Sequence, residues 1–144
     1  MKFSLDEAIE FSKKGFLEEW VHKFLENKGN NIHLSKRMKN KGYWLGIVEF
    51  PLGKLVRCCG PEENMKFSEN SKSWEESINK IRLDIKKGWK APPLIVWYLD
   101  GIFSIADGNH RFEALKRLNY KKYWIIIWFE KQIDFEKFKK NRTI

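Results

Sequence analysis

The chain has 144 residues, a length for one ordinary domain with hardly room for two. Its composition is 42% hydrophobic and 33% charged, with seven Trp, four Tyr and eleven Phe, which fills a core and excludes a disordered segment. Lys and Arg number 28 against 19 Asp and Glu, and the net charge of +9 suits anionic partners such as nucleotides, nucleic acid or an acidic protein. The plainer reading of that excess is a Lys-rich surface.

Ser4-Leu5-Asp6-Glu7 has capping-box spacing and opens a first helix, which Gly15 breaks or bends. A second helix is expected over 16–26, with Leu17, Trp20, Val21, Phe24 and Leu25 on one face and Gly29-Asn30-Asn31 ending it. Residues 33–41 form a short basic helix or a loop. Residues 44–50 read as the first strand, closed by Pro51, and an irregular stretch follows through Cys58-Cys59-Gly60-Pro61. Residues 62–72 are polar and read as a loop, long enough to serve as a lid or ligand loop. Ser73-Trp74-Glu75-Glu76 is a second capping box, and the helix behind it runs to a C-terminal glycine at Gly88. Residues 94–99 and 102–106 form a hairpin about Asp100-Gly101. A helix is expected from about residue 110 to 118. Residues 123–129, apolar almost throughout, read as a central strand, and a short helix covers 135–138. The pattern predicts an α+β fold: a small mixed β-sheet with packed helices and extra N-terminal helices.

Two adjacent cysteines, Cys58 and Cys59, lack the spacing of a zinc site or a disulfide framework, and read as reduced, non-catalytic thiols. The start of the chain lacks the apolar run of a signal peptide, and 123–129 is too short to span a bilayer. A cytoplasmic protein without a membrane partner is expected.

The segment Asp107-Gly108-Asn109-His110-Arg111 carries the most chemistry. It joins a strand to a helix. Gly108 permits a tight turn and close approach of a ligand to the backbone. The first-turn amides of the helix lack intrahelical partners and favour an anion. Asn109 can cap the helix. His110 adds a titratable imidazole, and Arg111 a planar cation that suits phosphate oxygens. Helical geometry sets Arg111 on the sheet-facing side, where it needs either a bound anion or an internal carboxylate such as Glu49. Asp107 caps the helix or orients Arg111, a metal or a substrate hydroxyl.

The run 77–129 resembles the ParB/sulfiredoxin superfamily. The matching features are Ile78 through Gly88, Pro92-Pro93-Leu94-Ile95-Val96, Asp100-Gly101, Ile105-Ala106-Asp107-Gly108-Asn109-His110-Arg111-Phe112-Glu113-Ala114-Leu115 and the strand at Tyr123. Val48-Glu49-Phe50-Pro51-Leu52-Gly53-Lys54-Leu55 looks like the strand and turn that open that fold. The resemblance covers about 44–130 and implies one domain over 1–144, with a helical N-terminal extension over about 1–42 and a C-terminal helix over about 131–144.

The resemblance implies that Gly108, Asn109, His110 and Arg111 hold nucleotide phosphates. Sulfiredoxins use ATP with a cysteine beside the His-Arg pair; Asn109 stands at that position here, so sulfinic-acid repair by that route is not expected. Partition proteins of the superfamily bind CTP and DNA, carry Glu-Arg-Arg where this chain has Asn109-His110-Arg111, and add a helix-turn-helix domain that this chain ends too soon to contain. The serine kinase branch, with an Asp-Gly-His-His-Arg type of motif, is the closest form. It also uses an acidic residue after the first strand and turn, for which Glu62 or Glu63 is a loose positional match.

The expected function is nucleotide binding (ATP, ADP or CTP), with phosphoryl transfer or nucleotide hydrolysis toward an unknown small acceptor. Asp107, His110, Glu62 and Glu63 are the candidate catalytic residues, and magnesium would accompany the nucleotide without a dedicated protein cage. The alternative is a DNA-binding ParB-like protein, with or without nuclease activity, that tracks phosphates through three basic clusters: Lys36, Arg37, Lys39 and Lys41; Lys86, Lys87 and Lys90; and Lys116, Arg117, Lys121 and Lys122. A purely structural or antitoxin-like interaction protein would leave Arg111 paired internally.

Overall fold

The computed structural model describes residues 1–141. The last three residues of the helix expected over 131–144 lie outside them. Helices α1 (Leu5–Lys13), α2 (Leu17–Glu26) and α3 (Ile32–Met38) precede strand β1 (Tyr43–Pro51). A 3-10 turn and the short strands β2 (Leu55–Val56), β3 (Cys59–Gly60) and β4 (Phe67–Ser68) lead to α4 (Ser71–Lys86). The remainder is β5 (Leu94–Leu99), β6 (Ile102–Asp107), α5 (Asn109–Arg117), β7 (Lys122–Phe129) and α6 (Gln132–Asn141). The fold is α+β, as expected.

The main sheet is mixed, in the order β1-β7-β5-β6-β2. β7 pairs antiparallel with β1 and parallel with β5, so it is an inner strand. Its near-continuous apolar run follows from burial on both faces. Ile125, Ile127 and Phe129 join one core with Leu94, Val96 and Leu115. Ile126 and Trp128 join a second core with Trp20, Val21 and Phe24 of α2. Helices α2 and α3 therefore cover the face of the sheet opposite α5 and α6, while α1 places Leu5 in the first core and Ala8 in the second. A third cluster, Trp74, Ile78 and Ala114, locks α4 onto α5.

Two of the expected caps differ in detail. At α1, Ser4 Oγ accepts from Glu7 N at 3.1 Å, but the Glu7 carboxylate reaches past the cap to the N–H groups of Lys2 and Phe3 and to the Trp20 indole. That ties the chain start to α2. At α4 the cap is Asn70, whose Oδ1 accepts from Lys72 N and Ser73 N. The Ser73-to-Glu76 capping box is thus corrected: the helix begins two residues before Ser73, because an asparagine side chain satisfies the orphan amides earlier. The 62–72 stretch is accordingly not all loop, since it holds β4 and the first residues of α4. Of residues 33–41, those up to Met38 belong to the helix α3, and 39–41 leave it as a turn.

His22 is buried in the α2–α3 packing, with Nδ1 2.8 Å from Ser35 Oγ. Burial pushes its imidazole below the ordinary value of 6.5, with Lys39 assisting and Glu18 and Glu26 opposing. The folded chain therefore binds this proton less tightly than the unfolded chain. The stability from a neutral His22 is present above the ordinary histidine value and is lost as pH falls toward the lower folded one. The melting temperature of the wild type is expected to drop more steeply than that of His22→Gln between about pH 7 and about pH 5. Parallel curves would remove His22 as the cause.

Candidate functional site

The turn from β6 into α5 is built by Gly108, which sits in the left-handed region at φ +104°. A Cβ there would lie 2.8 Å from Arg111 Nη2 and 2.9 Å from Leu94 Cδ2. The position requires glycine on both counts. Gly108 itself occupies the cap position of α5 and supplies no side-chain cap. The helix starts at Asn109, one residue earlier than expected.

Asn109 is not the cap. Its side chain is buried and turned to the chain after β2: Oδ1 accepts from Cys58 N at 3.0 Å and from Cys59 N at 3.4 Å, and Nδ2 donates to Ile105 O at 3.3 Å. Asn109 thus staples the 57–60 segment to the start of α5, and that segment brings Cys59 to the cleft.

Arg111 faces the sheet as expected, with 13% of its side chain exposed. Its partner is not Glu49, which lies near Lys122 on an exposed edge at 3.7 Å. Nη2 donates to Pro93 O at 3.0 Å, Nη1 stands 3.7 Å from Asp107 Oδ2, and the guanidinium lies 5.5 Å from the centre of the Phe24 ring. Its Nε is buried and has no hydrogen-bond partner. Burial lowers the affinity of the guanidinium for its proton, and Asp107 opposes that effect. The cation is therefore held in place but only loosely neutralised. Asp107 in turn accepts from Asn31 Nδ2 at 3.1 Å.

His110 is held at both nitrogens. Nδ1 is 3.1 Å from Ser77 Oγ, and Nε2 is 2.8 Å from Glu69 Oε1. The Trp74 ring meets the imidazole edge to face at 4.8 Å. Both tautomers can be drawn; the one with Nε2–H donating to the Glu69 carboxylate lets Nδ1 accept from Ser77, and it satisfies all three groups.

These residues line one cleft of about 370 Å³. Its lining comes from Asp107 to Arg111, from Cys59 and Glu69, from Trp89 and Pro92, and from Lys28, Gly29 and Asn31 of the α2–α3 turn. Glu62 and Glu63 do not line it. Glu62 pairs with Arg57 and Glu63 is exposed. The carboxylate that the 57–70 segment delivers is Glu69, seven residues after Glu62. Burial, and then the neighbouring Cys58, push the Cys59 thiol up to about 12, so it is not a thiolate at neutral pH. Among the described residues no three His, Cys, Asp or Glu side chains converge as a metal site. No helix among them is long and apolar enough to cross a membrane.

The basic clusters are used unevenly. Arg117 makes a two-pronged pair with Glu75, at 2.6 and 2.8 Å, and a further contact with Glu113. Lys39 stands 3.9 Å from Glu26.

No family model matches the chain, and no curated protein matches it. Solved structures do. The chain is similar to a sulfiredoxin from Arabidopsis thaliana at 25% identity, over 60% of this chain and 86% of that one, with a TM-score of 0.43. It is similar to a free serine kinase in complex with AMP at 18% identity, over 63% of this chain and 34% of that one, with a TM-score of 0.42. A third likeness is to the C-terminally truncated chromosome-partitioning protein ParB from Caulobacter crescentus complexed with CTP-gamma-S, at 22% identity, over 60% of this chain and 45% of that one, with a TM-score of 0.39. Each of the three likenesses has a TM-score below 0.5.

Proposed function

We propose that the cleft binds the phosphates of a nucleotide and supports phosphoryl transfer or hydrolysis. The observation that carries this reading is the buried, loosely neutralised Arg111 in the first turn of α5, behind a left-handed Gly108. Helix-start amides and a planar cation at one point make an anion site whose charge complements developing phosphate charge.

In this reading each side chain has a part. Arg111 and the amides of residues 109–111 hold a phosphate. Asp107 orients Arg111 and is itself held by Asn31. His110 has no free nitrogen, so its part is to position Glu69, whose other oxygen is left to take a proton from an attacking water or hydroxyl. Glu69 thereby takes the part first assigned to Glu62 or Glu63. Magnesium would arrive with the nucleotide, keep most of its water, and use Asp107 as its protein oxygen.

Calorimetric titration with ATP, ADP and CTP, with and without magnesium, tests the reading. Saturable heat is expected for at least one nucleotide, and silence at about millimolar nucleotide sinks it. In a second arm, Glu69→Gln is expected to keep binding while lowering nucleotide turnover about a hundredfold. Unchanged turnover would remove Glu69 as the base. Nucleic-acid binding draws less support, because Arg117, the arginine of the third basic cluster, is spent on Glu75 and Glu113.

A further inference from the structure

The α2–α3 turn lies outside the stretch that carries the family resemblance, yet it forms one side of the cleft. Its conformation is fixed by the chain itself. Gly29 N donates to Phe24 O at 2.7 Å, and Asn31 N donates to Leu25 O at 2.7 Å. A Cβ at Gly29 would lie 2.8 Å from the Phe24 ring, so the turn presses directly on the residue that stacks beneath Arg111. Asn31 then bonds Asp107, the carboxylate beside Arg111.

The charges around the cleft are not evenly matched. Asp107 faces Arg111, and Glu69 faces His110. Lys28 is the exposed cation of this wall, and it makes no ion pair with another described residue. A monophosphate seated at the start of α5 would be served by Arg111 and the amides. A longer phosphate chain carries further charge that those groups do not meet, and Lys28 is an exposed cation lining the same cleft.

We propose that the α2–α3 turn is a polyphosphate-reading arm, in which Lys28 contacts the phosphates beyond the one held at Arg111 and so favours nucleoside di- and triphosphates over monophosphates. Asn31 is the positioning residue that keeps this arm registered on Asp107. The proposal rests on the nucleotide reading above and deepens it.

The test is a calorimetric comparison of AMP, ADP and ATP binding to wild type, Lys28→Ala and Lys28→Arg. Lys28→Ala is expected to weaken ADP and ATP about fivefold to tenfold while AMP changes by less than about twofold. Lys28→Arg should restore the preference, and raising the salt should shrink it, because the contact is solvent-exposed. Equal weakening of AMP and ATP, or no weakening of either, overturns the proposal and leaves the nucleotide reading standing. A wild type that binds none of the three overturns the proposal, and one that is silent to CTP as well overturns the nucleotide reading.

Discussion

Arg111→Ala is expected to weaken nucleotide binding about a hundredfold or more, a loss of about 3 kcal/mol, while the domain stays folded. Two contributions oppose each other in the free protein. The substitution strands Pro93 O and removes the stacking on Phe24, which lowers stability. It also removes a buried cation whose Nε has no partner and whose nearest carboxylate is 3.7 Å away, which raises it. The net cost should be about 1–2 kcal/mol, much less than breaking a tight buried pair. Asp107 keeps its bond to Asn31 when the arginine is gone. Thermal melts of both proteins, with and without ATP, measure the two quantities together. A large fall in the melting temperature of the free variant, with no ATP-induced rise in the wild type, would reassign Arg111 to a purely structural role.

Asn109→Ala is expected to act in the opposite sense, through stability first. The side chain serves three backbone groups of two segments, the amides of Cys58 and Cys59 and the carbonyl of Ile105, and it is buried. Truncation removes the acceptor from the amides of Cys58 and Cys59, while Ile105 O keeps the Cys58 thiol at 2.9 Å, and the cost in urea unfolding is expected to be about 2–3 kcal/mol. Asn109→Asp should not restore the full value, since a carboxylate cannot donate to Ile105 O. A loss below about 0.5 kcal/mol would show that the 57–60 segment is held by other contacts.

The sequence exposed most of what local chemistry determines. The turn at Gly108, the sheet-facing side of Arg111 and the inner position of β7 follow from a positive-φ glycine, a helical period and an unbroken apolar run. What escaped depends on pairing across the chain. Asn31 carries no signal of its own at a helix boundary, where an asparagine is expected anyway, and its partner Asp107 is 76 positions away. Asn109 looked like a cap because asparagine at a helix start usually is one; the nearby backbone of Cys58 outcompetes that use. Glu69 lay inside the stretch read as a ligand loop, but Glu62 and Glu63 drew the assignment by position alone. Only the parallel pairing of β3 with β4 brings Glu69 to His110. Ser73 was mistaken for a cap because Ser-x-x-Glu spacing occurs by chance inside a first turn that Asn70 already closes.

The bond from Asn31 to Asp107 and the staple from Asn109 to Cys58 close loops of 76 and 51 positions. Closing loops of that size carries an entropic cost that one hydrogen bond alone does not offset, so both bonds are expected to lean on the packing of the sheet and its covering helices. Those two bonds are thus expected to form late in folding and to lie outside its nucleus. Substitutions there are accordingly free to alter ligand chemistry and the lifetime of the folded state while leaving the rate of folding close to that of the parent chain.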